Sequence, residues 1–157
     1  MRHRMRTTLL LLLLLIGVPL IPEASAQADR LDWAARLAEV DRALARGETT
    51  AVTAAWREAY VAAHASRDWP GMIAVGDAAL RAGRATRTPE VFEPRARRAY
   101  LTALLRARRQ ASRDGVLAAG EAFGRLGDRD AERLAKAEAA ELAIRAESAA
   151  RRRARAL

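Results

Sequence analysis

Ala65-Ser66-Arg67-Asp68 returns as Ala111-Ser112-Arg113-Asp114. A few residues on, Ala74-Val75-Gly76-Asp77-Ala78-Ala79-Leu80-Arg81-Ala82-Gly83 is echoed by Ala118-Ala119-Gly120-Glu121-Ala122-Phe123-Gly124-Arg125-Leu126-Gly127. The first pair is offset by 46 residues and the second by 44, which reads as a two-residue deletion between them. A period in this range marks stacked helix pairs. Gly76 and Gly120 fall in the middle of their stripes, where glycine costs roughly 1 kcal/mol against alanine, so a close backbone approach is expected at both.

Working outward, Trp33, Leu37, Val40 and Leu44 recur at helical spacing over 29–46, with Asp29 as cap and Gly47 in the left-handed position after the end. A second helix starts at Thr49 or Thr50, buries Val52, Trp56, Ala59, Tyr60 and Ala63, and ends near Ser66. Asp68 caps a third, with Met72, Ile73, Gly76, Ala79 and Leu80 inward and Gly83 as its stop. Residues 84–93 read as a connector, with a short turn around 89–92 and Val91 and Phe92 packed inward, because Pro94 breaks a helix begun at Pro89. A fourth helix follows from about Pro94 to Gln110. It buries Ala96, Tyr100, Ala103, Leu104 and Ala107, and Leu101 and Leu105 reach a second neighbour. The fifth runs from Asp114 to about Leu126. The sixth, capped by Asp128, continues to about Ala149 on a weak stripe of Ala131, Leu134, Ala135 and Leu142. The tail 151–157 is expected to be disordered. Six helices without a strand pattern define an all-α domain of stacked antiparallel pairs over 27–150.

Composition agrees with close helix packing. The 157 residues are 51% hydrophobic but only 4% aromatic, with alanine the largest contributor to the apolar share. Alanine favours helix and buries little area per residue. The absence of cysteine excludes disulfides, thiolate metal sites, a lipid-modified cysteine and a cysteine nucleophile.

The N-terminus has the order of an export signal. Arg2, Arg4 and Arg6 precede an apolar run from Leu9 to Ile21, and Ala24-Ser25-Ala26 supplies small-x-small before Gln27. The run is about 13 residues, short of the roughly 20 that a spanning helix needs. Cleavage of residues 1–26 is expected, with cleavage after Ala28 as the second choice and an uncleaved anchor as the alternative. The expected location is periplasmic or secreted.

Trp56, opening a first helix, and Ala79, near the end of a second, stand where the tetratricopeptide-repeat family places a large aromatic and a small residue. Gly127-Asp128 is similar to that family's turn between helices. The chain resembles the family over roughly 50–150, although its period is near 44 rather than 34. Within the unit, Tyr60 and Met72 are large where the family is small, and Ala63 and Gly76 the reverse. The resemblance implies an α-solenoid that binds proteins and performs no chemistry.

Past residue 26 the only histidine is His64. Ser66 and Asp68 follow at spacings that do not face it on a helix, so no triad forms. No second histidine builds a metal site and no glycine-rich phosphate loop is present. The sequence is therefore read as non-enzymatic, with no cofactor and no metal.

Charge is the remaining signal. Residues 81–113 hold ten arginines and two acids, a net +8, against +7 for everything after residue 26. Arg95, Arg98, Arg106, Arg109 and Arg113 fall on one side of helix four, a ridge of about 27 Å. Two readings remain open: an anion-binding or partner-binding face, and a solvated polar face. The expected function is a protein–protein interaction adaptor. The alternative is a peripheral binder of anionic envelope surfaces, a membrane surface included, through these arginines and the Arg151–Arg155 tail. The expected partner is a protein or an acidic envelope component. Export argues against nucleic acid, and a second copy would complete a stack this short.

Overall fold

The computed structural model describes the backbone of residues 22–156 and the side chains of residues 32–156. The described residues form six helices and no strand: α1 (Pro22–Ala45), α2 (Thr49–Ala65), α3 (Trp69–Thr86), α4 (Pro89–Arg109), α5 (Arg113–Arg125) and α6 (Arg129–Arg155). The all-α expectation holds. None of these helices is long and apolar enough to cross a membrane. The basic n-region and the apolar run to Ile21 lie outside the described residues. Ala24, Ala26 and Gln27 fall in the first two turns of α1, which starts at Pro22, so Asp29 is interior to the helix and not at its start.

The closest-packed neighbours are α1 with α2, α3 with α4, and α5 with α6. The sequence echo, by contrast, relates α2–α3 to α4–α5. The odd helices also touch in succession, α1 on α3 and α3 on α5, whereas backbone contact is missing between α2 and α4 and between α4 and α6.

Small residues explain the close odd-helix spacing. A β-carbon on Gly71 of α3 would lie 3.1 Å from the Trp33 indole of α1 and 3.2 Å from Ala63. One on Gly115 of α5 would lie 2.9 Å from the Trp69 indole of α3 and 2.7 Å from Ala107. The same contact is built twice, and the same holds for charge. Arg81 bonds Asp41 across α1–α3 at 3.0 Å, and Arg125 bonds Asp77 across α3–α5 at 2.8 Å.

The turns fix the register of the repeat. Arg67 and Ala111 both have positive φ, at 56° and 48°, and they lie 44 residues apart. Asp68 caps α3 through the Trp69 N–H, whereas α5 is capped by Ser112, which accepts from the Gly115 N–H. Asp114 is exposed. The register from α2–α3 to α4–α5 is 44, and the Ser-Arg-Asp echo at 46 is out of phase by two residues. No deletion separates the copies.

The largest departure from the sequence reading is the region 84–93, which is helix except for the joint at Arg87 and Thr88. α3 passes through Gly83, which packs against Phe92, and ends at Arg87 in the left-handed conformation. α4 then begins at Pro89 and continues through Pro94. Proline inside a helix costs about 3 kcal/mol or more, mainly through a lost N–H bond and a clash with the preceding turn. Here the bereft carbonyl belongs to Glu90, which like Pro94 is exposed, so water can serve it. Full burial of Phe92 recovers roughly 1.5–3 kcal/mol. Tertiary packing thus offsets the local breaker. Val91 is 41% exposed, not inward.

Other expectations shift on contact with the packing. α2 is preceded by Glu48, which makes no side-chain cap bond, so neither threonine is the cap. Leu101, Leu105 and Leu134 are exposed rather than packed on a second neighbour or in a stripe. α6 buries Ala135 and Ala139, and it continues through Arg151, Arg152 and Arg153 to Arg155 in place of a disordered tail. The close approach at Gly76 is made by a side chain: an added β-carbon would lie 2.3 Å from the Tyr100 ring. At Gly120 the neighbours are Ala135 and the Glu132 carbonyl.

Candidate functional site

The five arginines of the expected ridge do not share one environment. Arg106 is 5% exposed. Its Nη1 donates to the carbonyls of Ala63 at 3.0 Å and Asp68 at 2.9 Å, and its Nη2 donates to that of His64 at 2.8 Å. Two of these carbonyls belong to the last turn of α2, which has no intrahelical donors left and carries the negative end of the helix dipole. Arg106 therefore closes α2 from α4. Burial, and then the neighbouring Arg109 charge, lower its pKa from the ordinary arginine value.

Arg95 is also structural. Its guanidinium lies 4.9 Å from the centre of the Phe92 ring and 5.4 Å from that of Trp56, a cation–π bridge from α4 to α2. Its Nη1 is buried and has no hydrogen-bond partner among the described residues. Long arginines thus span the gap between α2 and α4 where backbone contact is missing. Ion pairs do the same between α4 and α6, with Arg97 on Asp128 and Arg108 on Glu138.

Only Arg98, Arg109 and Arg113 of the five point outward, and Arg113 lies 3.5 Å from Asp114. The sequence reading missed Arg67. Its turn is tied to the end of α4 by Gln110, whose Nε2 donates to the Arg67 carbonyl at 3.4 Å. The fold brings Arg67 and His64 beside Arg106, Arg109 and Thr102, around an open recess of about 780 Å³. His64 is exposed and stacked on Tyr60 at 6.1 Å. This grouping has no signature along the chain, because residues from 64 to 109 meet only once α2 lies beside α4.

A second polar cluster joins α3, α4 and α5. The Tyr100 hydroxyl donates to Asp77 at 2.6 Å, and Arg125 donates to the same oxygen through Nε at 3.1 Å and Nη2 at 2.8 Å. Arg125 also covers the Tyr100 ring at 5.8 Å. Burial and the Asp77 carboxylate raise the Tyr100 pKa well above the usual phenol value. Asp77, Leu80, Arg81, Arg84 and Arg125 border an open depression of about 470 Å³ here, and Arg84 enters no ion pair among the described residues.

Comparison with protein-family models, curated proteins and solved structures finds no match to this chain.

Proposed function

We propose that the chain is an exported, non-catalytic helical-repeat protein, tetratricopeptide-like in its stacking, that acts as a protein–protein interaction adaptor. The observation that carries this reading is the twice-built contact between odd helices: tryptophan on glycine, then aspartate to arginine. Repetition of one contact from unit to unit is how repeat proteins add helices while keeping a continuous face open. Odd helices touch and even helices are held apart by arginines, so the stack should curve toward the odd face. That face presents Asp77, Leu80, Arg81, Arg84 and Arg125; Arg81 and Arg125 are ion-paired with Asp41 and Asp77, and the remaining charge of Arg84 suits an acidic partner. Support for export comes from the N-terminal order of arginines, apolar run and small residues. The lack of cysteine and the single histidine beyond residue 26 support a binding role without chemistry.

Cell fractionation with N-terminal sequencing tests the export half. A chain beginning at Gln27 in the periplasm or medium is the expected result. Met1 intact in the cytoplasm would overturn it.

A second reading, binding to anionic envelope surfaces, is favoured by Arg67, Arg98 and Arg109, which are exposed without ion pairs among the described residues, and by the arginines that end α6. Vesicle co-sedimentation tests it. Binding that ignores salt and anionic lipid content would exclude it.

A further inference from the structure

Arg67, Arg106 and Arg109 surround the recess between the α2–α3 turn and the last turns of α4, and no carboxylate lines it. Its other lining groups are His64, Ala65 and Thr102. Asp68 attracts Arg106 but spends an oxygen capping α3. The three guanidinium groups differ in role. Arg106 is buried and immobilised by its three carbonyl acceptors, so its position is set before any ligand arrives. Arg67 and Arg109 are exposed and make no ion pair among the described residues. Their side chains are free to close on a ligand. The charge of Arg106 is turned onto the carbonyls that end α2, so the exposed guanidinium groups of Arg67 and Arg109 set the positive potential at the mouth of the recess, with Arg106 fixed behind them.

We propose that this recess binds a phosphate monoester group, carried either by a small soluble molecule or by a lipid headgroup. The two exposed charges of Arg67 and Arg109 match a dianion better than the single charge of a carboxylate or phosphodiester. A phosphate monoester is mostly dianionic near neutral pH, and its oxygens accept the paired donors of a guanidinium fork. The inference deepens the anion-binding reading and rests on it for the sign of the ligand, but it assigns the contact to the recess rather than to a diffuse basic face.

The test uses the purified full chain, a double variant Arg67→Asn/Arg109→Gln and a control variant Arg98→Gln/Arg151→Gln. Asparagine tolerates the left-handed backbone at position 67, and Arg106 is left in place because α2 depends on it. Circular dichroism establishes that each variant is folded. Calorimetric titration with glycerol 3-phosphate probes the soluble source. Co-sedimentation with phosphatidylcholine vesicles containing phosphatidic acid, a monoester, or phosphatidylglycerol, a diester, probes the lipid source.

The expected result is binding of the monoester in at least one arm, weakened roughly tenfold or more in the Arg67/Arg109 variant and unchanged in the control. Binding in the titration alone assigns a soluble ligand, and binding to phosphatidic acid vesicles alone assigns a lipid. Equal monoester binding by the chain and the Arg67/Arg109 variant overturns the proposal, as does no binding in either arm. Equal binding to both anionic lipids, lost in the control variant instead, also overturns it while leaving the surface reading intact.

Discussion

Trp69 of α3 lies so close over Gly115 of α5 that a β-carbon on the glycine would come within 2.9 Å of the indole. Trp33 and Gly71 make the looser version of the same contact one unit earlier. Alanine at any of these helical glycines gains up to about 1 kcal/mol of helix preference, so the sign of each substitution depends on what the methyl meets. Gly71→Ala, with nearest atoms at 3.1 Å and 3.2 Å, should be close to neutral. Gly115→Ala should cost about 1–2 kcal/mol, and Gly76→Ala, which drives a methyl into the buried Tyr100 ring, about 2–3 kcal/mol. Urea unfolding should rank the three in that order.

Removal of the Arg106 fork takes one charged donor from each of three carbonyls, of which Ala63 keeps the Ser66 hydroxyl and His64 keeps the Arg67 N–H. Arg106→Gln should cost about 2–3 kcal/mol. Arg106→Lys, which keeps the charge but not the fork, should recover only part of the loss. Arg98→Gln, on the same helix but exposed, should change the urea midpoint little.

Cap substitutions test the 44-residue register. Asp68→Ala and Ser112→Ala should each cost about 1 kcal/mol, whereas Asp114→Ala should cost less than about 0.5 kcal/mol. Equal losses at Asp68 and Asp114, with none at Ser112, would restore the 46-residue echo.

Tyr100 gives the fold an alkaline limit. Its folded pKa is raised by burial and by Asp77, so above about pH 10 the unfolded chain releases a proton that the folded chain retains. The unfolded state then binds fewer protons, and stability falls as pH rises. This contribution is fully present below the unfolded pKa and is lost as pH climbs toward the folded value. Tyr100→Phe should flatten the decline above pH 10. Its cost near neutral pH should be about 1 kcal/mol, from the lost bond to Asp77.

The helical periodicity was legible along the chain because burial of Val40, Val52, Trp56, Met72, Tyr100 and Val116 follows local spacing. The caps and the region 84–93 were harder to read. Ser112 and Asp114 are both good cap residues, and only the placement of the Ala111 turn chooses between them. Pro94 is a breaker by local rules, and only the burial of Phe92 against Gly83 keeps the helix continuous. α3 runs five residues further than the repeat of α1 would place its end, and α4 starts four earlier than the repeat of α2, so the extra length of the period is helix. The arginine ridge was only partly legible: Arg95, Arg98, Arg106 and Arg109 lie on α4, Arg113 opens α5, and of the four only Arg98 and Arg109 are exposed. Burial of Arg106 and Arg95 depends on α2 lying alongside, which no spacing within α4 reveals, and Arg67 joins the site from another helix for the same reason.

Site-specific photo-crosslinking in intact cells tests the adaptor reading most directly. The crosslinking residue is placed at Leu80 on the odd face, or at Leu101 on α4 as the comparison. A discrete protein adduct is expected from position 80, absent from position 101 and reduced by Arg84→Glu. Identical adducts from both positions, or none from position 80, would contradict it.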